Sequence, residues 1–246
     1  MDATLITLAF CGIAAGGVLK GATGAGAPLV GVPVLALVFD VPMAVAIFSV
    51  LNIVSNSWQA KMFYHEITDP RFAWTHAATA AVGVVLGSML LATLPTEVLM
   101  ASMAVVVFLY IGLRISRPNW QMTREQGRRF GPMLGFVGGV MQGAGGLSAP
   151  VSVSFLNALR LPRVDFIGTI SVFFLLMSVF QVPTLVALGI LNWERAGLAA
   201  LAVVPLFLGI SIGAWSARYL SKEAFDRAIL LLLAVIALKL LWDAIG

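Results

Sequence analysis

The chain has 246 residues, of which 60% are hydrophobic and 11% are charged, and its formal net charge is +4. A soluble domain carries about 25% charged residues, so this composition excludes one and indicates a polytopic helical membrane protein. The single cysteine, Cys11, excludes an internal disulfide and a cysteine-based metal cluster. Basic cytoplasmic loops account for the positive charge of a membrane protein, so we expect no nucleic-acid partner. We also expect no cofactor and no metal.

Apolar segments of membrane-spanning length follow one another along the chain, separated by short polar interruptions. We predict two repeats, 1–115 and 131–246, joined by a polar cytoplasmic linker at 116–130. Each repeat has one broken apolar segment followed by three uninterrupted spans. The predicted ranges are 4–39, 42–63, 72–94 and 97–115 in the first repeat, and 131–159, 164–188, 195–217 and 222–245 in the second.

The two broken segments contain the same glycine-rich motif, 122 residues apart in the sequence. Residues 16–28 read GGVLKGATGAGAP and residues 138–150 read GGVMQGAGGLSAP, with eight identities in thirteen positions. A broken hydrophobic segment at matching places in two halves is typical of a transporter's binding site. Other pairs at the same offset are Ser49 and Ser171, Gln59 and Gln181, and Leu86-Gly87 and Leu208-Gly209.

Two membrane topologies fit the repeats. Either each broken segment crosses once, giving eight spans and parallel repeats, or each is a re-entrant helical hairpin, giving inverted repeats. Cytoplasmic loops are enriched in Lys and Arg, and thirteen basic residues lie outside the apolar segments once Lys20 and Lys239 are set aside. The eight-span topology puts eight of them inside and five outside, whereas the hairpin topology puts twelve inside and one outside. The sequence therefore favours an all-α fold of two inverted repeats, each a re-entrant helical hairpin plus three transmembrane helices, with both termini outside the cytoplasm.

Each glycine motif ends in Ala-Pro, and Pro28 and Pro150 suit the first turn of a new helix. We expect each break to begin a half-helix whose free N–H groups and positive dipole end point into the protein. Such ends attract anions, so two breaks that meet at a pseudo-twofold axis predict one anion site near the membrane midplane. Close helix packing through small residues is the alternative explanation. The glycines assigned to the site are Gly21, Gly24, Gly26, Gly143, Gly145 and Gly146.

Lys20 and Gln142 occupy equivalent positions just before the two breaks. A lysine at membrane depth is costly and is a functional candidate, so we expect Lys20 to face the cavity and attract the substrate. Snorkelling to an interface, or a contact with a carbonyl group, is the alternative. Thr23 and Ser148 are candidate hydroxyl donors to an oxyanion, and packing by small residues explains them equally well.

Polar residues also form a stripe on the first uninterrupted span, because spacings of three, four and three residues place them on one helix face. The stripe consists of Ser49, Asn52, Asn56 and Gln59, and its equivalents in the second half are Ser171, Phe174, Ser178 and Gln181. Two such stripes predict the walls of a cavity, for which Asn52, Asn56, Gln59 and Gln181 are candidate substrate ligands. Hydrogen bonding that only holds the helices together is the alternative.

Some kinds of residue are missing from the predicted spans. No Asp or Glu lies in the middle of one, and we expect His65 and His76 at the inner interface. Proton-coupled pumps usually carry intramembrane carboxylates or histidines. The simplest energetics is therefore anion efflux, which an inside-negative potential favours by about 2.3 kcal/mol per charge per 100 mV. An enzyme is not expected, because no Gly-x-Ser-x-Gly or His-Glu-x-x-His motif occurs.

The duplicated glycine motifs, the two-half organisation and the 246-residue length resemble the TauE/SafE sulfite exporter family of bacterial membrane permeases. One departure is Ser148, which stands where the first motif has Gly26. The resemblance implies that the chain exports a small sulfur-containing oxyanion, such as sulfite or an organosulfonate like sulfoacetate, across the bacterial inner (plasma) membrane. The partners expected are this small anionic substrate and the lipid bilayer, and a homodimer is compatible with the resemblance. The alternative is an anion channel, or an uptake permease for another anion such as thiosulfate or sulfate.

Overall fold

The computed structural model of the protein describes residues 3–116, 120–217, 219 and 222–245, so Arg117 and Arg218 of the charge count lie outside the described residues. Over those ranges the chain forms ten α-helices and a short 3-10 turn at Tyr64–Glu66. The helices are α1 (Ala3–Thr23), α2 (Ala27–Val38), α3 (Val41–Phe63), α4 (Pro70–Thr93), α5 (Thr96–Ser116), α6 (Arg124–Gly145), α7 (Ala149–Ala158), α8 (Arg163–Ala187), α9 (Trp193–Ser216) and α10 (Lys222–Ile245).

Seven segments in the described part of the chain are long and apolar enough to cross a membrane. The all-α, multi-pass membrane fold is therefore confirmed. Six of these segments lie in α3, α4, α5, α8, α9 and α10, whose ends differ by at most two residues from the predicted spans. The seventh is Thr4–Thr23 in α1, which the sequence places in a broken segment.

The sixth helix begins at Arg124, inside the range predicted as the 116–130 linker. Its start is a capping box. The side chain of Thr123 accepts a hydrogen bond from the N–H of Gln126, and the side chain of Gln126 accepts one from the N–H of Thr123. These reciprocal bonds satisfy two free N–H groups, so polar residues that indicate a loop here form the first turn of a helix.

Each short helix after a glycine break runs back along the helix before it. Contacts near the break join residues close in sequence, and contacts further away join residues progressively more distant, as in an antiparallel pair. Between α1 and α2 the contacts are Gly16 with Ala27 and, further from the break, Gly12 with Val34. In the second half, Gly138 of α6 contacts Ser152 near the start of α7, and Gly127 of α6 contacts Leu159 just after the end of α7. Each break is therefore a reversal of the chain rather than a kink in a continuous helix.

Glycines of the two halves make equivalent contacts. Gly21 of α1 lies against the carbonyl of Ile210 in α9, and Gly143 of α6 lies against the carbonyl of Val84 in α4. Small residues allow backbones to approach this closely within a membrane. Further equivalent contacts are Gly209 with Ala14 and Gly83 with Phe136, and Gly213 with Val18 and Gly87 with Val140. These contacts make Gly83 the structural equivalent of Gly209, and Gly87 the structural equivalent of Gly213. The sequence alignment of Gly87 with Gly209 is therefore wrong by four residues, about one helical turn.

The centre of the molecule is the antiparallel pair α3 and α8. Gly168, near the start of α8, lies against the carbonyl of Phe63 at the end of α3. One turn further on, the hydroxyl of Ser171 donates a hydrogen bond to Gln59 Oε1 at 3.3 Å. Continuing this register places Asn52 opposite Ser178, so the two polar stripes face each other across the α3–α8 interface.

Candidate functional site

The two glycine breaks lie beside opposite ends of the α3–α8 pair. Gly24, with φ of 89°, lies against Ile167 in the second turn of α8, and Gly146, with φ of 69°, lies against Val45 in the second turn of α3. These contacts are equivalent under the 122-residue offset. Because α3 and α8 run antiparallel, the second turns of the two helices lie at opposite ends.

Gly146 also lies against Val32 of α2, however, and Ala149, just after the second break, lines the same cavity as Thr23 and Gly26 of the first. One shared anion site at the two breaks stays a prediction.

The helix before each break has the length of a membrane span. The first helix has 21 residues and remains helical through Thr23, and α6 has 22 residues and remains helical through Gly145. A helix of that length is about 31–33 Å long, which is comparable to the roughly 30 Å hydrocarbon core of a bilayer. Each helix is therefore long enough to carry its break beyond the middle of the hydrocarbon core.

Hydroxyl groups at the breaks bond within their own turns. Thr23 Oγ1 donates to the carbonyls of Leu19 and Ala25, each at 2.8 Å. At the second break, the N–H and hydroxyl of Ser148 donate to Gln142 Oε1 at 3.3 and 3.1 Å. Equivalent residues thus differ in role, since Gln142 closes its own turn while Lys20 contacts another helix. Substrate contacts by Thr23, Ser148 and Gln142 stay a prediction.

The glycines assigned to the site differ in their surroundings. Two of them, Gly21 and Gly143, lie in the helix contacts described above. Three others lie against apolar side chains: Gly24 against Ile167, Gly26 against Leu19, and Gly146 against Val32 and Val45. Gly145 has open space where a Cβ would lie. Helix packing, the alternative explanation from the sequence, accounts for Gly21 and Gly143, and a contact of these glycines with substrate stays a prediction.

Lys20 is buried in the interior, with 2% of its surface exposed. Its Nζ donates a hydrogen bond to Asn56 Oδ1 at 2.6 Å, and Asn56 Nδ2 donates to the carbonyl oxygen of Asn52 at 2.9 Å. A buried charge normally has an ionic partner. In the described part of the chain, however, no carboxylate forms an ion pair with Lys20, since the pairs there are Asp69–Arg128 and Lys239–Asp243.

Buried polar atoms without a hydrogen-bond partner lie on both polar stripes. Within the described residues, Asn52 Nδ2, Ser178 Oγ and Gln181 Oε1 are buried and have none. An unsatisfied buried group costs about 1–3 kcal/mol, and each one in a native structure needs an explanation. The Asn52 amide and the Ser178 hydroxyl are donors. An anion would satisfy these two donors and the charge of Lys20, but not Gln181 Oε1, which is an acceptor.

Two further candidates bond across helix interfaces. Gln59 Oε1 lies 3.3 Å from the hydroxyl of Ser171, which also donates to the nearer carbonyl of Ile167 at 2.6 Å. Gln181 Nε2 donates to the carbonyl of Gln142 at 3.4 Å. These contacts join α3 to α8 and α8 to α6. Substrate contacts by Gln59 and Gln181 stay a prediction, and Gln181 also presents an unpaired oxygen.

A cavity of about 70 Å³ adjoins the first break. Thr23 and Gly26 form one wall, and Tyr110 and Arg114 of α5 and Asn157 of α7 form others. A cavity needs about 10–15 Å³ for one water molecule, so this one has room for several waters or a small oxyanion. It lies one turn beyond Lys20 along α1.

The second break is packed differently from the first. Leu147, within the break, and Val45 of α3 are both buried, and Val32 of α2 contacts Gly146 from the other side. Apolar side chains thus surround the second break, whereas the cavity beside the first break has walls of both polar and apolar residues.

His76 is wholly buried between helices in the second turn of α4, and its position near the inner interface stays a prediction. Its Nδ1 is 2.7 Å from the carbonyl oxygen of Gly131 in α6. The small residues Ala73, Ala77 and Ala80 are also buried, and they share the face of α4 that carries His76. That spacing of alanines is the sequence signal that could have indicated the burial of His76.

Asp165, which the sequence places near a loop, is also buried in the first turn of α8. Its two carboxylate oxygens accept hydrogen bonds from Thr68 Oγ1 at 2.5 Å and from Thr169 Oγ1 at 3.2 Å. Two hydroxyl donors and the positive end of the α8 dipole stabilise the carboxylate there.

Asp69 precedes α4 and links it to α6. Its carboxylate accepts hydrogen bonds from the N–H of Phe72 at 3.1 Å and from Arg128 Nε at 2.7 Å. Partial burial acts to raise the pKa of Asp69, but these two hydrogen bonds and the charges of Arg128 and Arg124 outweigh it, so the pKa lies below its usual value. This pair anchors the helix that carries His76.

The chain matches the family model described as Sulfite exporter TauE/SafE over residues 8–240, a range that includes both glycine breaks. No curated protein and no solved structure matches it. The matched range covers nearly the whole chain, and its seven candidate spans suit a transporter. The protein therefore belongs to the TauE/SafE sulfite exporter family of membrane transporters.

Proposed function

We propose that the protein is a secondary transporter that exports a small sulfur-containing oxyanion, sulfite or an organosulfonate such as sulfoacetate, across the bacterial inner membrane. The observation that carries the anion is the buried Lys20, which has no ionic partner in the described residues. The family supports sulfur as the central element of that anion.

The proposed binding site is the crossing of α3 and α8 rather than the space between the two breaks. There the ammonium of Lys20, the Nδ2 of Asn52 and the hydroxyl of Ser178 are the donors available to an oxyanion. Hydrogen bonds from a charged donor to an oxyanion are short and about twice as strong as neutral ones. Asn56 holds the Lys20 ammonium in place until substrate arrives.

The proposed topology has two inverted repeats, in which the α1–α2 and α6–α7 pairs are re-entrant hairpins, each followed by three spans. Support comes from the antiparallel contacts within each pair, from the equivalent glycine contacts of the two halves, and from the distribution of basic residues. In this topology the cavity at the first break opens toward the cytoplasm, and the second break faces the outside.

In the proposed mechanism, export proceeds by alternating access between a state open at the first break and a state open at the second. Anions enter the cavity beside Thr23, move one turn along α1 to Lys20, and leave when the apolar closure around Leu147 opens. The inside-negative potential favours outward movement by about 2.3 kcal/mol per charge per 100 mV.

The test is anion binding by purified protein, with Lys20→Met compared to Lys61→Met. Lys61 is an exposed lysine in the last turn of α3 and serves as the matched control. A hydrogen bond to a charged group contributes about 1.5–3 kcal/mol, so Lys20→Met should weaken binding of sulfite or sulfoacetate about tenfold or more. Lys61→Met should leave binding unchanged.

Thiosulfate, taurine and sulfate tested in parallel identify the preferred anion. Unchanged affinity in a folded Lys20→Met variant would remove Lys20 from the site. Saturable counterflow in proteoliposomes separates a carrier from the alternative, an anion channel.

A further inference from the structure

His76 has a buried ring nitrogen that no partner satisfies. Its Nδ1 lies 2.7 Å from the carbonyl oxygen of Gly131, and a carbonyl oxygen only accepts, so Nδ1 carries the hydrogen. Nε2 is therefore an acceptor, and it has no hydrogen-bond partner among the residues that the structure describes.

Aromatic rings surround the imidazole. Phe72 stacks on it at 5.8 Å between centroids with an 8° interplanar angle, and Phe173 stacks at 4.5 Å with 16°. Phe155 lies at 5.4 Å and 53°. The faces of aromatic rings attract cations, but burial without an acceptor for Nε2 disfavours the imidazolium, so the ring is neutral in this conformation.

A polar cleft lies on the other side of Phe72. The cleft has a volume of about 20 Å³, and Asp69, Asp165 and Arg124 line it together with Phe72. That volume holds about one water molecule. The ring of Phe72 both stacks on His76 and lines this cleft, which faces the cytoplasm in the proposed topology.

Charged groups near His76 all belong to the end of the bundle where this cleft lies. Gly131 and Gly135 of α6, Phe155 of α7 and Phe173 of α8 contact the histidine itself. The seventh helix has no charged residue. The helix that carries His76, α4, has one charged residue, Arg71. The charged residues of the two remaining helices that pack against it are Arg124, Glu125, Arg128 and Arg129 in α6, and Arg163 and Asp165 in α8.

We propose that His76 is a proton-binding site, loaded from the cytoplasmic cleft, whose occupancy shifts the transporter between its conformations. Rotation of Phe72 admits water to Nε2, where the lone pair takes a proton from a hydronium ion and forms an N–H bond. The new N–H donates to that water or to the Asp165 carboxylate.

A ligand shifts a conformational equilibrium by its difference in affinity for the two states. The proton on Nε2 meets this condition, because its N–H has a hydrogen-bond acceptor only in the conformation in which Phe72 has moved. Cytoplasmic pH then controls the transport rate. This control rests on the proposed transport function and topology, whereas proton binding by His76 does not.

Proton binding is tested directly by nuclear magnetic resonance of ¹⁵N-histidine-labelled protein. The chain has two histidines, so a His65→Asn variant assigns both rings. We expect Nε2 of His76 to gain a proton as the pH is lowered, with a midpoint that shifts when sulfite is added. A His76 ring that keeps the Nδ1–H form at every pH at which the protein stays folded, with and without sulfite, overturns the proposal.

Control of transport is tested by anion counterflow in proteoliposomes as a function of pH. His76→Asn keeps an amide donor near the Nδ1 position but does not titrate, and His65→Asn replaces the exposed histidine of the 3-10 turn. We expect the wild type and His65→Asn to share a severalfold pH dependence that His76→Asn loses.

A wild-type pH profile in His76→Asn overturns the proposal. If His76→Asn does not fold, His76→Gln, whose amide nitrogen lies near the Nε2 position, is judged by the same criterion. Absence of counterflow in the wild type counts against the proposed transport function, and the resonance experiment then decides the proton site separately.

Discussion

Lys20 Nζ and Asn56 Oδ1 lie 2.6 Å apart, and both side chains are buried. This contact connects α1, which leads into the first glycine break, to the polar stripe on α3. It holds the Lys20 ammonium one hydrogen bond away from Asn52, whose amide donor is unpartnered, at the place where the substrate is proposed to bind.

A carboxylate at position 56 should take the place of the anion. Asn56→Asp gives Lys20 a permanent ionic partner, so anion affinity should fall about tenfold or more, since 1.4 kcal/mol corresponds to a factor of ten. Folding should persist, because the new charge is paired. Isothermal titration with sulfite measures the affinity. Asn192→Asp, an equally good cap of α9 at an exposed position, is the control, and wild-type affinity in Asn56→Asp would contradict the prediction.

Glycine-to-alanine changes at the helix contacts should destabilise the protein. A Cβ at Gly21 would lie 2.0 Å from the Ile210 carbonyl oxygen, and one at Gly143 would lie 2.3 Å from that of Val84. Overpacking of this kind costs about 1–3 kcal/mol, so thermal unfolding in detergent should occur at a lower temperature for Gly21→Ala and Gly143→Ala.

The control for this prediction is Gly197→Ala on α9. A Cβ there meets nothing within 4 Å, so the change should be neutral or stabilising by up to about 1 kcal/mol. Equal stability of Gly21→Ala and the wild type would show that α1 and α9 do not pack as described.

The Asp69–Arg128 pair should contribute pH-dependent stability. The pKa of Asp69 is lowered in the folded protein, so its contribution is complete above the usual aspartate pKa of about 3.9 and is lost as the pH falls through the lower folded value. Asp69→Asn keeps the helix cap and removes the charge, which should cost at most about 1 kcal/mol at neutral pH. Thermal unfolding of both proteins at several pH values should show this difference disappear in acid. A difference that grows in acid would contradict the sign.

Loss of the cap itself is separable from loss of the charge. Asp69→Ala removes the acceptor for the N–H of Phe72 as well, which should cost about 0.5–2 kcal/mol in all. Asp69→Ala should therefore unfold at a lower temperature than Asp69→Asn at neutral pH. Equal stability of the two variants would mean that the cap contributes nothing.

Opposite sides of the membrane should be reached by single cysteines at His65 and Trp193. Both positions are exposed, and Cys11 is first replaced by alanine because it is exposed as well. In the inverted-repeat topology an impermeant maleimide added to whole cells labels Trp193→Cys and not His65→Cys. Labelling of both from the same side would exclude that topology.

Helix identity and helix ends could be predicted from the sequence because their signals are local. Apolar length gives the spans, and residues such as Asp40 and Asn192, whose side chains accept an N–H of the first turn, mark helix starts. Position 20 could likewise be identified as functional, since a lysine in an apolar segment is costly wherever it points.

The sequence by itself determined the membrane class, the spans, the two breaks and the candidate lysine. Only the tertiary structure decided that the first break contacts α8 and the second contacts α3, that Asn56 is the partner of Lys20, and that His76 lies among aromatic rings. The reason is physical. Helix formation depends on neighbours along the chain, whereas the depth of a break and the partner of a buried side chain depend on which helices pack together and in which register.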